Sequence, residues 1–267
     1  MDVTASPPFD RLWRGQDPLR WIEAAGGEHL RELPDRRTTR VEVEGEVFFA
    51  KVHRGVGIRE TLRSLASLRL PVFDARAEVM AIARLREAGV DVPEVVAWGV
   101  DEGAPPHRRR SFVVTRDVGT QRTLADVASE LQPDALRERR AWTRALGRIV
   151  GAMHAAGVNH RDCYLVHVLC PEPAPGAAPR PVLLDLHRAQ IRAAVPQRWR
   201  AKDLGGLAFS AMDAELTRTD LLRFIRAYAG GSAAAALRAT PSLWRAVEAR
   251  RAGLVAERAR RGERFGR

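Results

Sequence analysis

The spacing of apolar positions changes near residue 118. Before it they fall in short runs with turn residues between them; after it they recur at three- and four-residue intervals, the signatures of strands and of amphipathic helices. At the start, Phe9, Leu12, Trp13, Leu19, Trp21 and Ile22 anchor an amphipathic lead-in that Gly26-Gly27 stops, and it is expected to pack across the first sheet. Leu30–Leu33, Thr39–Val43 and Val47–Val52, with turns at Pro34-Asp35 and Gly45, predict an antiparallel meander. Asp74 can cap a helix that runs through Ala88 to Gly89 and puts Glu78, Ile82 and Leu85 on one face. Strands at Val95–Val100 and Ser111–Thr115, around the basic turn Gly103–Arg110, complete about five strands and one helix. Helices are then expected at Thr123–Glu130 and at Pro133–Ala156, the latter stopped by Gly157. A Pro/Ala/Gly loop, Pro171–Pro181, separates two short strands, and beyond Trp199 the chain reads as helical, with Thr240-Pro241 opening a last long helix. The expectation is an α+β chain with a lead-in over 1–27, a sheet-rich lobe over 28–118 and a helical lobe over 119–267.

Composition narrows the class. With 267 residues and 45% hydrophobic content the chain can bury a full core and is not of a disordered type. No run approaches the ~18 to 20 apolar residues of a membrane-spanning helix, and Met1–Arg14 lacks the apolar core of a secretory signal. The two cysteines, Cys163 and Cys170, lie too close together for a disulfide framework, so a reducing, cytoplasmic setting is expected. A net charge of +11 implies a polyanionic partner: nucleic acid, an anionic membrane face or a phosphorylated substrate. Of 44 Lys plus Arg only Lys51 and Lys202 are lysine, Asn159 is the sole Asn, and Tyr164 is one of two Tyr. In so biased a composition, each scarce residue that survives is a candidate for need, and several fall in or beside the motifs below.

The central stretch is Val158-Asn159-His160-Arg161-Asp162-Cys163-Tyr164-Leu165-Val166-His167, followed by Leu184-Asp185-Leu186-His187. A lone His-Arg-Asp is weak. A Lys on a strand (Lys51), a Glu on the buried face of the next helix (Glu78), His160-Arg161-Asp162 after a long helix and Asp185 after a short strand follow the order of protein-kinase-like enzymes. The chemistry accounts for the residue types, because a transferring phosphoryl group needs fixed positive charge and positioning. Lys51 would hold the ATP phosphates and Glu78 would orient it; Asp162, flanked by His160 and Arg161, would take the proton of the attacking hydroxyl; Asp185 would hold Mg²⁺. Five residues after the base, where protein kinases place Asn, stands His167, a second candidate ligand although Mg²⁺ prefers oxygen. Asp203 would brace the backbone of the His-Arg-Asp loop. No Gly-x-Gly-x-x-Gly occurs, so Arg36-Arg37-Thr38-Thr39 would have to cover the nucleotide, with Thr38 and Thr39 among the binding residues.

Two other uses of these residues stay open. His160, Cys163, His167 and Cys170 would share one face if the segment were helical, as in a structural zinc site. The Arg-rich segment Arg245–Arg267 could bind nucleic acid, although it lacks the interleaved aromatics that stack bases, and it suits an anionic bilayer equally well.

The run from Gly157 to His167 resembles the lipopolysaccharide core heptose(I) kinase family, which also has His at the position of His167. Further similarity lies in Pro8-Phe9 with Leu12-Trp13, Arg36-Arg37-Thr38, Phe49 to Gly57, Leu184-Asp185-Leu186-His187-Arg188-Ala189-Gln190 and Arg198-Trp199-Arg200-Ala201-Lys202-Asp203-Leu204, over roughly residues 8 to 228. The resemblance implies a protein-kinase-like bilobal fold and an enzyme that uses ATP and Mg²⁺ to phosphorylate the first heptose of the lipopolysaccharide inner core. A Kdo kinase or another kinase-like phosphotransferase is the alternative within the class. It further implies a cytoplasmic protein peripheral to the inner membrane, with the anionic membrane surface and acyl carrier protein as partners and no nucleic acid.

Overall fold

The computed structural model describes residues 1–33, 36–55, 74–105, 108–131, 134–214 and 216–262. Pro34-Asp35, Val56-Gly57 and Pro133, singled out above, lie outside the described residues. Two compact units emerge: Met1–Ile82 with Pro93–Val118, and Ala83–Val92 with Gly119–Arg267.

The first unit is built on a six-stranded antiparallel sheet. Its strands are β1 (Asp2–Ala5), β2 (Glu28–Leu33), β3 (Arg36–Val43), β4 (Glu46–His53), β5 (Val95–Val100) and β6 (Ser111–Arg116), in the order β1-β5-β6-β4-β3-β2. Five of these follow from the short runs between turn residues described above. The sixth, β1, pairs Asp2 with Val100 through Ala5 with Ala97 and was hidden because Asp2, Val3 and Thr4 are exposed and only Ala5 packs partly against the core. The β3–β4 turn places Glu44 and Gly45 at positive φ, as the tight hairpin requires.

The lead-in resolves into α1 (Phe9–Leu12) and α2 (Pro18–Ala24), the latter capped by Asp17, which accepts from the Leu19 and Arg20 amides. Phe9, Trp13, Leu19 and Ile22 are buried with Val41, Phe48, Ala50, Val52, Val96, Phe112 and Val114. The aromatic edges of Phe9 and Trp13 meet Phe48 and Phe112 at centroid distances of 5.0 and 5.4 Å, so one face of the sheet is closed by the N-terminal helices. Helix α3 (Arg76–Glu87) begins where Asp74 accepts from the Arg76 amide at 2.9 Å. It buries Glu78 with Ile82 and Leu85, the face its spacing predicts.

The second unit is mainly helical. Helix α4 (Leu124–Glu130) has a reciprocal capping box between Thr123 and Asp126, and α5 (Leu136–Ala155) buries Trp142, Leu146, Val150 and Met153. Short pairs β7 (Val158–Asn159) with β10 (Gln190–Ile191), and β8 (Val168–Leu169) with β9 (Val182–Leu183), frame the central loops. Helices α6 (Gln197–Ser210), α7 (Arg218–Ala229), α8 (Ala233–Ala239) and α9 (Pro241–Arg260) follow. These helices leave an apolar cavity of about 430 Å³ lined by Leu124, Trp142, Leu146, Phe224 and Trp244 among others. No described helix is long and apolar enough to cross a membrane.

Candidate active site

In the sheet unit, Lys51 on β4 and Glu78 on α3 meet at Nζ–Oε1 2.6 Å. The carboxylate is nearly inaccessible and the ammonium about one-fifth exposed, so the pair presents its cation outward. Thr38 lies opposite Lys51 across the β3–β4 ladder. Thr39 points to the other face, buried, with its hydroxyl 3.1 Å from His29 Nδ1, and so has no surface to offer a nucleotide through its side chain. Arg37 is bonded to Glu32.

In the helical unit the other six expected residues converge. α5 ends at Gly157, whose φ of +79° and whose absent side chain are both required: a Cβ there would fall 2.0 Å from the Arg192 carbonyl oxygen. Beyond it, β7 carries the chain into His160-Arg161-Asp162, where Arg161 has φ +75°. Asp203, buried on α6, holds this strained turn: Oδ2 accepts from the His160 amide at 2.8 Å and Oδ1 from the Arg161 amide at 2.7 Å. Charge-assisted bonds of this kind are among the stronger ones. A second chain of bonds backs Asp203. Arg200 Nε donates to Tyr228 Oη (2.8 Å), Tyr228 lies 2.9 Å from His154 Nδ1, and His154 Nε2 lies 3.3 Å from Asp203 Oδ2. Gly206, one turn after Asp203, lets the Cys163 carbonyl approach to where a Cβ would stand 2.8 Å away.

His160 is fully buried, and burial pushes its pKa down, so it is neutral. Its Nε2 lies 2.8 Å from the Leu184 carbonyl; a carbonyl only accepts, so the proton is on Nε2. The same argument fixes His167, whose Nδ1 lies 2.8 Å from the Asp162 carbonyl. Nδ1 therefore bears a proton, which in the neutral ring leaves the lone pair on Nε2, 3.7 Å from Asp185 Oδ2. Asp185 is itself at φ +57°, the left-handed region, and its other oxygen is 2.6 Å from His187 Nδ1. Of three described non-glycine residues with positive φ, two are in this site, where backbone strain is commonly stored. The donor set suits a divalent cation: an unprotonated imidazole nitrogen whose far side is oriented by a carbonyl, next to a carboxylate.

Asp162 is accessible, and Arg188 Nη1 donates to both of its oxygens at 3.1 and 2.8 Å. Sequence reasoning missed Arg188, His187 and Lys202 as site residues. Arg188 and His187 lie within the Asp185 run already quoted, and Lys202 had the signal of scarcity. Lys202 is half-buried; burial first, then Arg161 and Arg188, bring its pKa down to about 8 against the pull of Asp162 and Asp203.

The zinc arrangement does not form. Residues 158–170 run strand, loop, 3₁₀ turn and strand instead of helix, so their His and Cys share no face, and both thiols are free and buried. Burial, reinforced by Asp203 and Asp162, pushes the Cys163 pKa well up, and the Cys170 value is pushed up to about 12. No described cluster of three or more His, Cys, Asp or Glu has metal-holding geometry. The Arg-rich C-terminal segment is, through Arg260, the packed helix α9, with Leu243 and Leu254 buried and ion pairs to Glu248 and Glu257 on its own surface.

A strained His-Arg-Asp turn anchored by a helix aspartate, with a strand Lys paired to a helix Glu in an antiparallel-sheet unit, defines a protein-kinase-like phosphotransferase, and the chain belongs to the lipopolysaccharide kinase (Kdo/WaaP) family, whose model matches residues 21–228. Its relatives are particular. It is 47% identical over 232 residues to the lipopolysaccharide core heptose(I) kinase WaaP of Pseudomonas aeruginosa, covering 85% of this chain and 86% of that protein. The Escherichia coli K12 protein of the same name is 41% identical, covering 85% and 87%. A solved structure of WaaP in complex with acyl carrier protein superposes with a TM-score of 0.80 at 41% identity, over 95% of this chain and 99% of that one.

Proposed function

We propose that this chain is an ATP-dependent kinase that phosphorylates heptose I of the lipopolysaccharide inner core. The observation that carries the site assignment is the His167 tautomer. Its Nδ1 proton is bound to the carbonyl of Asp162, so the residue that would take the substrate proton also aims the nitrogen that would hold the metal. Lys51, oriented by Glu78, binds the ATP phosphates, and Thr38 lies beside it. Asp185 and His167 hold Mg²⁺, which when bound neutralises charge on the phosphates. Asp162 accepts the proton of the sugar hydroxyl, His160 and Arg161 form the turn that presents it, and Asp203 fixes that turn.

The same reading places the protein in the cytoplasm, at the inner face of the inner membrane, where its acceptor is assembled. Its charge of +11 suits both an anionic bilayer and an acidic carrier such as acyl carrier protein, the partner in the solved relative. Purified protein with ATP, Mg²⁺ and a heptose-bearing acceptor is the test. Mass spectrometry should find one added phosphate on heptose I; a phosphate on Kdo, or on no sugar, would reject the assignment.

A further inference from the structure

Trp199, in the first turn of α6, has four cations over its ring: Arg161 and Lys202 at 5.6 Å, Arg192 and Arg198 at 5.5 Å. Two carboxylates are near, and both are engaged. Asp162 takes Arg188, while Asp203 takes two loop amides and His154. Arg192 is bonded to the neutral oxygens of Asn159 and Gln190. Among the described residues Lys202 and Arg198 make no ion pair, nor does the guanidinium of Arg161, whose buried Nε also lacks a hydrogen-bond partner, as does the buried Trp199 Nε1. An indole face attracts cations through its quadrupole but brings no net negative charge. Buried donors are ordinarily paired, and like charges this close call for a counter-ion.

We infer that this cluster is an anion subsite for the acceptor: Lys202, Arg161 and Arg198 hold a carboxylate or phosphate group that the acceptor glycan carries near the hydroxyl to be phosphorylated. The inference rests on the reading of Asp162 as the base, since that brings the acceptor to this place. The nucleotide has its own cation in Lys51, so the second lysine serves the other substrate. Lys202 is suited to the task because its ammonium is held half-buried and unpaired, with its ring contact fixing its direction.

Two measurements on the full-length protein test this. The first is calorimetric titration of inorganic phosphate into protein saturated with Mg²⁺ and a non-hydrolysable ATP analogue, which fills the nucleotide site. Phosphate should bind the wild type, and the affinity should fall about tenfold or more in Lys202→Met, with a smaller loss in Arg198→Gln, an exposed position whose change spares the fold; tenfold corresponds to about 1.4 kcal/mol. The second is steady-state kinetics, in which Lys202→Met should raise the KM for the acceptor about tenfold with the KM for ATP changed less than about twofold. Equal phosphate binding in wild type and both variants, or a KM rise confined to ATP, would overturn the subsite. If the wild type binds phosphate in a Lys202-dependent way but leaves heptose unphosphorylated, the subsite stands and the proposed function falls.

Discussion

Lys51 lies 2.6 Å from a carboxylate that is itself buried, whereas Lys202 is half-buried among arginines, with no ion pair among the described residues and a pKa brought down to about 8. These are the only lysines in the chain, one in the sheet unit and one in the helical unit. The difference separates two ways of holding a cation for a ligand. Lys51 is pre-aimed: the bond to Glu78 offsets its desolvation and fixes its direction, which suits a ligand whose phosphates always arrive in the same pose. Lys202 is held short of a partner, so an arriving anion supplies the missing charge. Arginine would serve poorly at either place, since its wide fork prefers bidentate partners whereas an ammonium is a point charge.

The largest test concerns the residue that both lysines would serve. Asp162→Ala should lower turnover by about 10² to 10⁴-fold, the range of a positioned general base, with both KM values within about twofold. A variant that kept most of its rate would remove the reaction centre from this loop and with it the contrast between the lysines. Next in size is Asp203→Ala, which strips the acceptor from two buried amides and from His154. A loss of about 3 kcal/mol in unfolding free energy is expected by denaturant titration. An unchanged midpoint would mean the turn holds itself. Lys51→Met should then mirror Lys202→Met, raising the KM for ATP about tenfold while phosphate binding to the nucleotide-free protein at the Lys202 cluster persists. Equal effects of the two variants on both substrates would erase the distinction.

The legible parts of this protein were those fixed by local pattern. Burial of Glu78 with Ile82 and Leu85 was readable because helical spacing is a property of adjacent turns. The other five strands were readable because each is a short β-prone run between turn residues. Strand β1 was not, since at this sheet edge three of its four side chains are exposed and its placement comes mainly from backbone pairing. The order Lys, Glu, His-Arg-Asp, Asp was visible in one dimension, but not which atoms each residue offers. That His167 presents Nε2 depends on a carbonyl five residues back in the chain, and the Arg188 bond to Asp162 spans 26 residues. Thr39 shows the converse. Sequence proximity put it with Thr38 at the nucleotide, but strand alternation turns it to the buried face. The Tyr228–His154–Asp203 relay joins three helices, and no spacing rule connects them.

The finest test of the contrast is pH. Lys202 faces Arg161, Arg188, Asp162 and Asp203. As pH rises through about 8 the ammonium of Lys202 is lost, so the acceptor KM of the wild type should climb, by up to about tenfold per unit. Stability should move the other way. The folded value, about 8, lies below the ordinary 10.5, so between the two the unfolded chain binds more protons and this residue's contribution to stability increases with pH. Lys202→Arg stays charged throughout the range. Its acceptor KM should be flat from pH 7 to about 9.5, even if raised at all pH values by the poorer fit. An acceptor KM that rises equally in wild type and Lys202→Arg would assign the titration to another group. A flat wild-type profile would mean that the ammonium is not what the acceptor meets.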